Sequence, residues 1–292
     1  MERRGLVVAR HRREVIVETP EGESLSGLVR GRALKPLAGD EVRWHLEADG
    51  TAVIEEVLPR RTLLERIDSR GRAEGVAANV SLIVIVVAPE PAPDWQLVDR
   101  YLVAAALLDI AAALVRNKLD LADAGLDARA AGYRSIGCEV MAASMKSGQG
   151  LDELRRTLSD HRGVLVGQSG VGKSSLINAL LEAETQAVGR LSRRRPLGRH
   201  TTVAAMLHRL PGGGELIDSP GVRRYAPKIS DPADLARGFL EFRPHLGRCR
   251  FNDCRHLSEP GCAVLAALER GEIGARRYLS YKALRATLEG LG

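Results

Sequence analysis

The chain has 292 residues, of which 27% are charged and 45% hydrophobic, a balance typical of a packed globular protein and not of a disordered or fibrous one. Lys and Arg number 43 against 37 Asp and Glu, so the chain is basic, which favours a polyanionic partner without naming one. No run reaches the roughly 18 uncharged apolar residues that a membrane-spanning helix needs, and no apolar signal segment follows the first residues. We therefore expect a cytosolic protein without a membrane partner.

The first 60 residues predict a small antiparallel β-barrel. Alternating runs such as Glu14–Glu18 and Asp40–Trp44 are separated by Gly, Pro and Asp turn signals at short intervals. A five-stranded oligonucleotide-binding (OB) barrel fits the length and the many basic residues, and an SH3-like barrel fits the composition equally well. We therefore expect a barrel domain at residues 1–60, of either class.

A polar connection begins at Arg60, and a parallel α/β domain is predicted over residues 61–225. The continuous β-branched run 82–87 is typical of a strand buried on both faces. Strands and helices then alternate, as expected of a parallel sheet with crossover helices. The further predicted strands are 111–115, 163–166 and 215–217, and the predicted helices are 102–108, 151–158 and 174–181.

Residues 117–120, Asn-Lys-Leu-Asp, come directly after a predicted strand, where open α/β sheets bind ligands. The Asp120 carboxylate can accept both N–H donors on the Watson–Crick edge of guanine, which adenine does not offer. A second loop, at 143–146, would complete the base pocket with Lys146 over the purine. The residues predicted to bind the base are Asn117, Lys118, Leu119 and Asp120 in the first loop and Ser144, Met145 and Lys146 in the second.

Residues 167–175 predict a phosphate-binding loop, because they follow the strand 163–166 and open a helix. Backbone N–H groups around the glycines would face phosphate oxygens at the helix N-terminus. Lys173 would bridge the β- and γ-phosphates, and the Ser174 hydroxyl would bind Mg²⁺. The nucleotide-binding residues predicted here are Gly167, Gln168, Ser169, Gly170, Val171, Gly172, Lys173, Ser174 and Ser175.

Two further segments are predicted to sense the γ-phosphate. Asp218 would hold Mg²⁺ through water, and the Gly221 amide would reach the γ-phosphate. Thr201, or less favourably Thr202, would coordinate Mg²⁺ only while the γ-phosphate is present. The predicted magnesium ligands are thus Ser174, Thr201 and Asp218, and the predicted catalytic residues are Lys173, His200, Thr201 and Gly221.

Val222 follows Gly221, where many related enzymes have a glutamine that orients the attacking water. Because valine cannot orient water, we expect slow intrinsic turnover. Either His200 or a partner would supply the water-positioning group. The alternative for His200 is a structural residue close to the phosphates.

The base-recognition motifs precede the phosphate loop, which reverses the ordinary order. The site can survive such a rearrangement because domain termini often lie close together. The sequence therefore predicts a circularly permuted phosphate-loop GTPase domain. Its γ-phosphate-sensing segment, 218–222, leads directly into the C-terminal region.

The C-terminal region, residues 226–292, is predicted to be a helical zinc-binding domain that ends in a helix at 275–289. Cys249, Cys254, His256 and Cys262 offer three thiolates and one imidazole within a short segment. This set suits a tetrahedral Zn²⁺ ion with no open position, which indicates a structural site. The alternative is a chance cluster of free thiols.

With these motifs the chain resembles the small-subunit-dependent ribosomal GTPase family RsgA, also called YjeQ. The resemblance covers almost the whole chain: the barrel, the segments 117–120, 167–175, 198–202 and 218–221, and the Cys/His cluster. Met145 departs from the commoner alanine of the base loop, where the contact is mainly through the backbone. The resemblance implies an OB fold at the N-terminus, GTP or GDP with Mg²⁺ and one structural Zn²⁺, and GTP hydrolysis stimulated by the 30S subunit. It also implies contacts with 16S rRNA and a role in late small-subunit maturation.

Two other functions compete with this one. In the first, the chain is a GTP-regulated RNA-binding scaffold whose hydrolysis is incidental. Val222, which cannot orient the attacking water, supports this hypothesis. In the second, it is a membrane-surface GTPase, which the lack of an apolar anchor or lipidation motif disfavours. A monomer is the default oligomeric state.

Overall fold

The structure is a computed structural model that describes residues 3–11, 14–30, 34–68, 70–187, 205–218, 225–229 and 231–290. Within these ranges, no helix has both the length and the apolar character that crossing a membrane requires.

The N-terminal region is a closed five-stranded barrel. Its strands are β1 (Arg3–His11), β2 (Glu14–Glu18), β3 (Ser24–Val29), β4 (Glu41–Leu46) and β5 (Ala52–Val57). The order is β1-β2-β3-β5-β4, β4 pairs back with β1, and only β3 and β5 run parallel. Inward side chains, among them Val7, Val17, Trp44 and Ile54, fill the interior. The predicted barrel is confirmed, and this order is the Greek-key arrangement of the OB fold.

A two-stranded hairpin follows, where the sequence indicated only a polar connection. It pairs β6 (Leu63–Ile67) with β7 (Ala73–Ala78), with a bulge at Leu64 and Glu65. The bulge and the charged side chains interrupt the alternation that would have revealed these strands. The Tyr225 hydroxyl donates to the Glu65 carbonyl over 3.1 Å, so the hairpin also holds the chain where it enters the C-terminal region.

The central sheet has the order β10-β9-β8-β11-β13-β12, and only β12 runs antiparallel. Its strands are β8 (Leu82–Val87), β9 (Ala111–Arg116), β10 (Glu139–Ala142), β11 (Arg162–Val166), β12 (Met206–Arg209) and β13 (Glu215–Asp218). Its helices are α1 (Trp95–Leu108), α2 (Ala124–Arg134), α3 (Leu151–Leu158) and α4 (Lys173–Ala187). Separate hydrophobic cores cover its two faces. Because all strands of this sheet except β12 run parallel, their carboxyl ends meet at one edge of the sheet.

The sequence predicted most of this sheet but not all of it. Helix α1 begins well before the predicted residue 102, because the Asp94 carboxylate caps it by accepting from the Leu97 amide over 3.0 Å. Helix α2 was not predicted, since its buried side chains are too sparse to give a clear helical period. Strands β10 and β12, of four residues each, are too short for a pattern.

The C-terminal region contains two 3₁₀ helices (Asp234–Gly238 and Leu240–His245), α5 (Ala263–Glu269) and α6 (Ala275–Glu289). The predicted final helix is confirmed. The C-terminal region forms a third hydrophobic core, which contains the buried aromatic residues Phe239, Phe242, Tyr278 and Tyr281.

A buried ionic cluster joins the C-terminal region to the central sheet. The fully buried Asp99 of α1 accepts from Arg276 over 2.7 Å, Arg277 over 2.6 Å and Ser280 over 2.5 Å, all on α6. The Tyr133 hydroxyl of α2 donates to the same carboxylate over 2.7 Å. Burial alone would raise the pKa of Asp99, but the guanidinium groups of Arg277 and Arg276 lower it overall. The carboxylate is therefore ionised.

We expect Asp99→Asn to lower the free energy of unfolding by about 3–5 kcal/mol, because Arg276 loses its carboxylate partner and Arg277 keeps only that of Glu241. Urea titration followed by circular dichroism measures this loss. The control is Asp109→Asn, an exposed aspartate just beyond the end of α1. Equal urea midpoints for the two variants would show that the cluster does not stabilise the interface.

Candidate nucleotide-binding site

The segment 167–172 connects β11 to α4, and Lys173 is the first residue of the helix. Gly167 and Gly172 have φ of 135° and 94°, in the region that favours glycine. A Cβ at Gly167 would overlap the Val86 carbonyl oxygen, and one at Gly172 would overlap the side-chain amide of Asn117. The loop can therefore pass this close to its neighbours only with glycine, and it delivers the amide groups of a helix N-terminus to the sheet edge.

The Lys173 ammonium lies inside this loop, with 8% of the residue exposed. It donates to the carbonyls of Gly167 over 2.9 Å and Gln168 over 2.7 Å. Burial lowers the pKa of Lys173, and the nearby Asp218 carboxylate opposes that shift. Burial also raises the pKa of Asp218, and His208 and Lys173 oppose it. Lys173 and His208 thus both interact electrostatically with Asp218. His208 is not among the site residues that the sequence predicted.

Asn117 links the first base loop to the phosphate loop. Only 1% of the residue is exposed, and its amide Nδ2 donates to the Val171 carbonyl over 2.8 Å. Its Oδ1 and the Ser144 hydroxyl are buried and have no partner among the described residues. A buried polar atom without a partner costs about 1–3 kcal/mol. Two of them, one in each predicted base loop, fit a ligand that brings its own polar groups.

Asp120 and Lys146 bring the two base loops together. The Lys146 ammonium donates to the Asp120 carboxylate over 2.6 Å. This hydrogen bond is the main reason that the pKa of Asp120 is lowered. The carboxylate is therefore an ionised acceptor, as reading a guanine edge requires.

A third loop, residues 88–94 between β8 and α1, also borders the site, although no sequence motif predicted it. The Lys118 ammonium donates to the Glu90 carbonyl over 2.6 Å. The Gln168 side chain accepts from the Asp94 amide over 2.7 Å and donates to the Ala92 carbonyl over 3.2 Å. A proline-rich stretch directly after a fully buried strand could have revealed it, because that position lies at the ligand-binding edge of the sheet.

The remaining predicted residues divide into two groups. Ser169, Gly170, Ser174 and Ser175 are exposed at the phosphate loop, and Leu119 and Met145 are partly buried in the base loops. His200, Thr201 and Gly221, together with Thr202 and Val222, lie outside the described residues. The roles given to them in magnesium binding and catalysis therefore stay predictions.

The predicted metal ligands form a second cluster, in the C-terminal region. One donor atom from each of Cys249, Cys254, His256 and Cys262 lies within 4.8 Å of all the others. The Cys249 and Cys262 sulfurs are 3.9 Å apart, and each lies about as far from the His256 Nδ1, at 3.5 and 3.4 Å. A tetrahedral zinc ion with Zn–S bonds of about 2.3 Å requires ligand separations of roughly 3.5–3.8 Å. The described geometry fits such an ion.

Helix α6 holds this cluster in place. The Tyr278 hydroxyl donates to the His256 carbonyl over 2.9 Å, and the Tyr281 hydroxyl donates to the Arg255 carbonyl over 2.6 Å. The Ala263 amide points at the Cys249 sulfur over 3.4 Å, as amides do at metal-bound thiolates. By contrast, Cys138 is buried away from these residues, and burial raises the pKa of its thiol to about 11.

Comparisons with known proteins agree with this arrangement. A sequence model of the family described as RsgA GTPase matches residues 57–227. A protein of Azotobacter vinelandii named small ribosomal subunit biogenesis GTPase RsgA is 48% identical over 98% of this chain and 86% of its own length. A protein of the same name from Chromohalobacter salexigens is 51% identical over 84% of this chain and 73% of its own.

Two solved structures are similar along nearly their whole length. The crystal structure of YjeQ from Thermotoga maritima superposes with a TM-score of 0.76 at 33% identity and covers 99% of both chains. YloQ, described as a circularly permuted GTPase, superposes with a TM-score of 0.74 at 26% identity and covers 100% of this chain and 96% of its own. The predicted fold, a barrel followed by a permuted GTPase centre and a helical C-terminal region, is confirmed. The chain belongs to the RsgA family of circularly permuted GTPases, and its reaction is the hydrolysis of GTP.

Proposed function

We propose that this chain binds GTP or GDP with Mg²⁺ at the carboxyl edge of its central sheet and hydrolyses GTP in the maturation of the 30S ribosomal subunit. The observation that carries the nucleotide assignment is the buried Asn117, which joins the base loop to the phosphate loop and whose side-chain oxygen has no partner within the described part of the chain. The names of the relatives support the ribosomal assignment. The net charge of +6 is consistent with contacts to 16S rRNA, because phosphate contacts supply most of the affinity for RNA.

In this proposal the base lies between the loops 117–120 and 143–146, with the Asp120 carboxylate on its Watson–Crick edge. The phosphates lie in the loop 167–175, where Lys173 meets the β- and γ-phosphates. Ser174, Thr201 and Asp218 hold Mg²⁺, and the Gly221 amide contacts the γ-phosphate. His200 or the ribosomal subunit positions the attacking water, because Val222 cannot.

We propose domain limits of 1–60 for the barrel, 61–225 for the GTPase domain and 226–292 for the zinc-binding domain. Cys249, Cys254, His256 and Cys262 hold one structural Zn²⁺. The protein acts in the cytoplasm as a monomer, with no membrane partner. The alternative is a GTP-regulated RNA-binding scaffold, which Val222 favours, and turnover in the presence of purified ribosomal subunits separates the two.

We expect Asp120→Asn to weaken GDP binding by about 100-fold and to strengthen binding of the xanthine nucleotide XDP. An asparagine amide can donate to the 2-oxo group of xanthine, whereas the carboxylate can only accept. Fluorescence titration with labelled GDP and XDP measures both affinities. The control is Asp123→Asn, since asparagine also caps a helix and Asp123 caps α2. An unchanged preference for GDP in the Asp120 variant would contradict the proposed base site.

A further inference from the structure

Arg116, the last residue of β9, is a buried arginine at the end of an otherwise apolar strand. Only 4% of the residue is exposed, in a strand whose sequence is Ala-Ala-Ala-Leu-Val-Arg. Its Nε donates to the Asp127 carboxylate of α2 over 2.9 Å. Because Asp127 itself is largely exposed, this ion pair alone does not explain why the guanidinium is buried.

The other two nitrogens of Arg116 face the first base loop. One donates to the Lys118 carbonyl over 3.2 Å and the other to the Leu121 carbonyl over 2.7 Å. The Leu121 amide also donates to the Lys118 carbonyl over 2.9 Å, which closes a turn. Asp120 lies inside this turn. The guanidinium therefore holds the carbonyls at both ends of the turn that carries Asp120, the proposed acceptor for guanine.

This turn needs support from outside itself. Lys118 has a φ of 58°, a left-handed conformation that costs a residue with a side chain about 1–2 kcal/mol. Hydrogen bonds from a rigid, planar guanidinium to the two carbonyls offset that cost and fix their direction. The Arg116 carbonyl also accepts from the Ala143 amide over 2.8 Å, at the start of the second base loop. Arg116 thus contacts the first base loop through its side chain and the second through its carbonyl.

We infer that Arg116 is a positioning residue for guanine selection, one that holds the 118–121 turn so that the Asp120 carboxylate meets the N1 and 2-amino groups of the base. The inference rests on the proposed base site. Asp120 supplies the hydrogen-bond acceptor for the base, and Arg116 fixes the position of that acceptor. Selection of this kind requires the carboxylate to be held within about 0.5 Å of its position.

The test compares the affinities of GDP and IDP, since inosine lacks only the 2-amino group of guanine. In the full-length protein we expect Arg116→Ala to reduce the ratio of the IDP and GDP dissociation constants by about tenfold, because the loosened carboxylate no longer distinguishes the bases. The matched control is Arg162→Ala. Arg162 also donates to a carboxylate, that of Glu215 over 2.5 Å, and to a carbonyl, that of Gly39 over 2.6 Å, but at the opposite end of the sheet.

Arg116→Lys provides a second variant if the alanine variant does not fold. Lysine keeps the charge but lacks the planar fork that reaches two carbonyls and a carboxylate together, so it should also lower the ratio. A purely structural role would raise both dissociation constants equally, leave the ratio unchanged and overturn the inference. Failure of the base site itself would differ, because Asp120→Asn would then not exchange GDP preference for XDP preference.

Discussion

Replacing Lys173 with alanine should reduce GTP hydrolysis by at least about 100-fold and weaken the binding of GTP more than that of GDP. The ammonium lies inside the phosphate loop, where two backbone carbonyls hold it. Burial makes its charge costly in the free protein, as the lowered pKa of Lys173 indicates. Phosphate oxygens relieve that cost, so the interaction is stronger in the partly water-excluded loop than at an exposed lysine.

Single-turnover hydrolysis and equilibrium titration with GDP and a non-hydrolysable GTP analogue measure the two effects. Lys282→Ala, which removes an exposed lysine from α6, serves as the control and should retain full turnover. A Lys173→Ala protein that hydrolyses GTP at the original rate would show that the γ-phosphate lies elsewhere.

Removal of zinc should unfold the segment 249–262 and release α6, with nucleotide affinity largely kept. Structural zinc contributes an apparent 10–16 kcal/mol or so in small zinc domains at neutral pH. Here the ligands also position the carbonyls to which Tyr278 and Tyr281 donate. Loss of the ion therefore affects the hydrophobic core of the C-terminal region, which extends beyond the segment that holds the ion.

Metal analysis of the purified protein and circular dichroism before and after chelation measure this effect. Cys262→Ser should give the same loss of helix without a chelator, whereas Cys138→Ala, at a buried thiol outside the cluster, should keep one zinc per chain. A protein that purifies without zinc, or that keeps its helix content after chelation, would contradict the structural assignment.

The sequence predicts those features that follow from local patterns. Glycine spacing after a buried strand predicts the phosphate loop, and Asn117-Lys118-Leu119-Asp120 predicts the base loop, since each lies at a strand end. The short spacing of the four metal ligands likewise keeps them in one segment. In each case the residues that form the site lie close together in the sequence.

Features that depend on distant contacts could not be predicted. Asp99 and Arg276 are 177 residues apart, and no sequence pattern near either residue indicates that the two form an ion pair. Arg116 breaks the apolar pattern of its strand, but its role depends on where the chain turns after residue 118. The short strands β10 and β12 form because neighbouring strands offer hydrogen-bonding edges to them, which is a tertiary effect.

The most direct test of the central claim is GTP hydrolysis at one fixed salt concentration by the protein alone, with purified 30S subunits and with purified 50S subunits. Lys173→Ala provides the blank, and the salt must be fixed because RNA affinity depends steeply on it. A ribosomal GTPase with Val222 in place of a water-orienting glutamine should be slow alone and strongly stimulated by 30S subunits only. Equal turnover under all three conditions would contradict the ribosomal assignment and leave a GTPase with another partner.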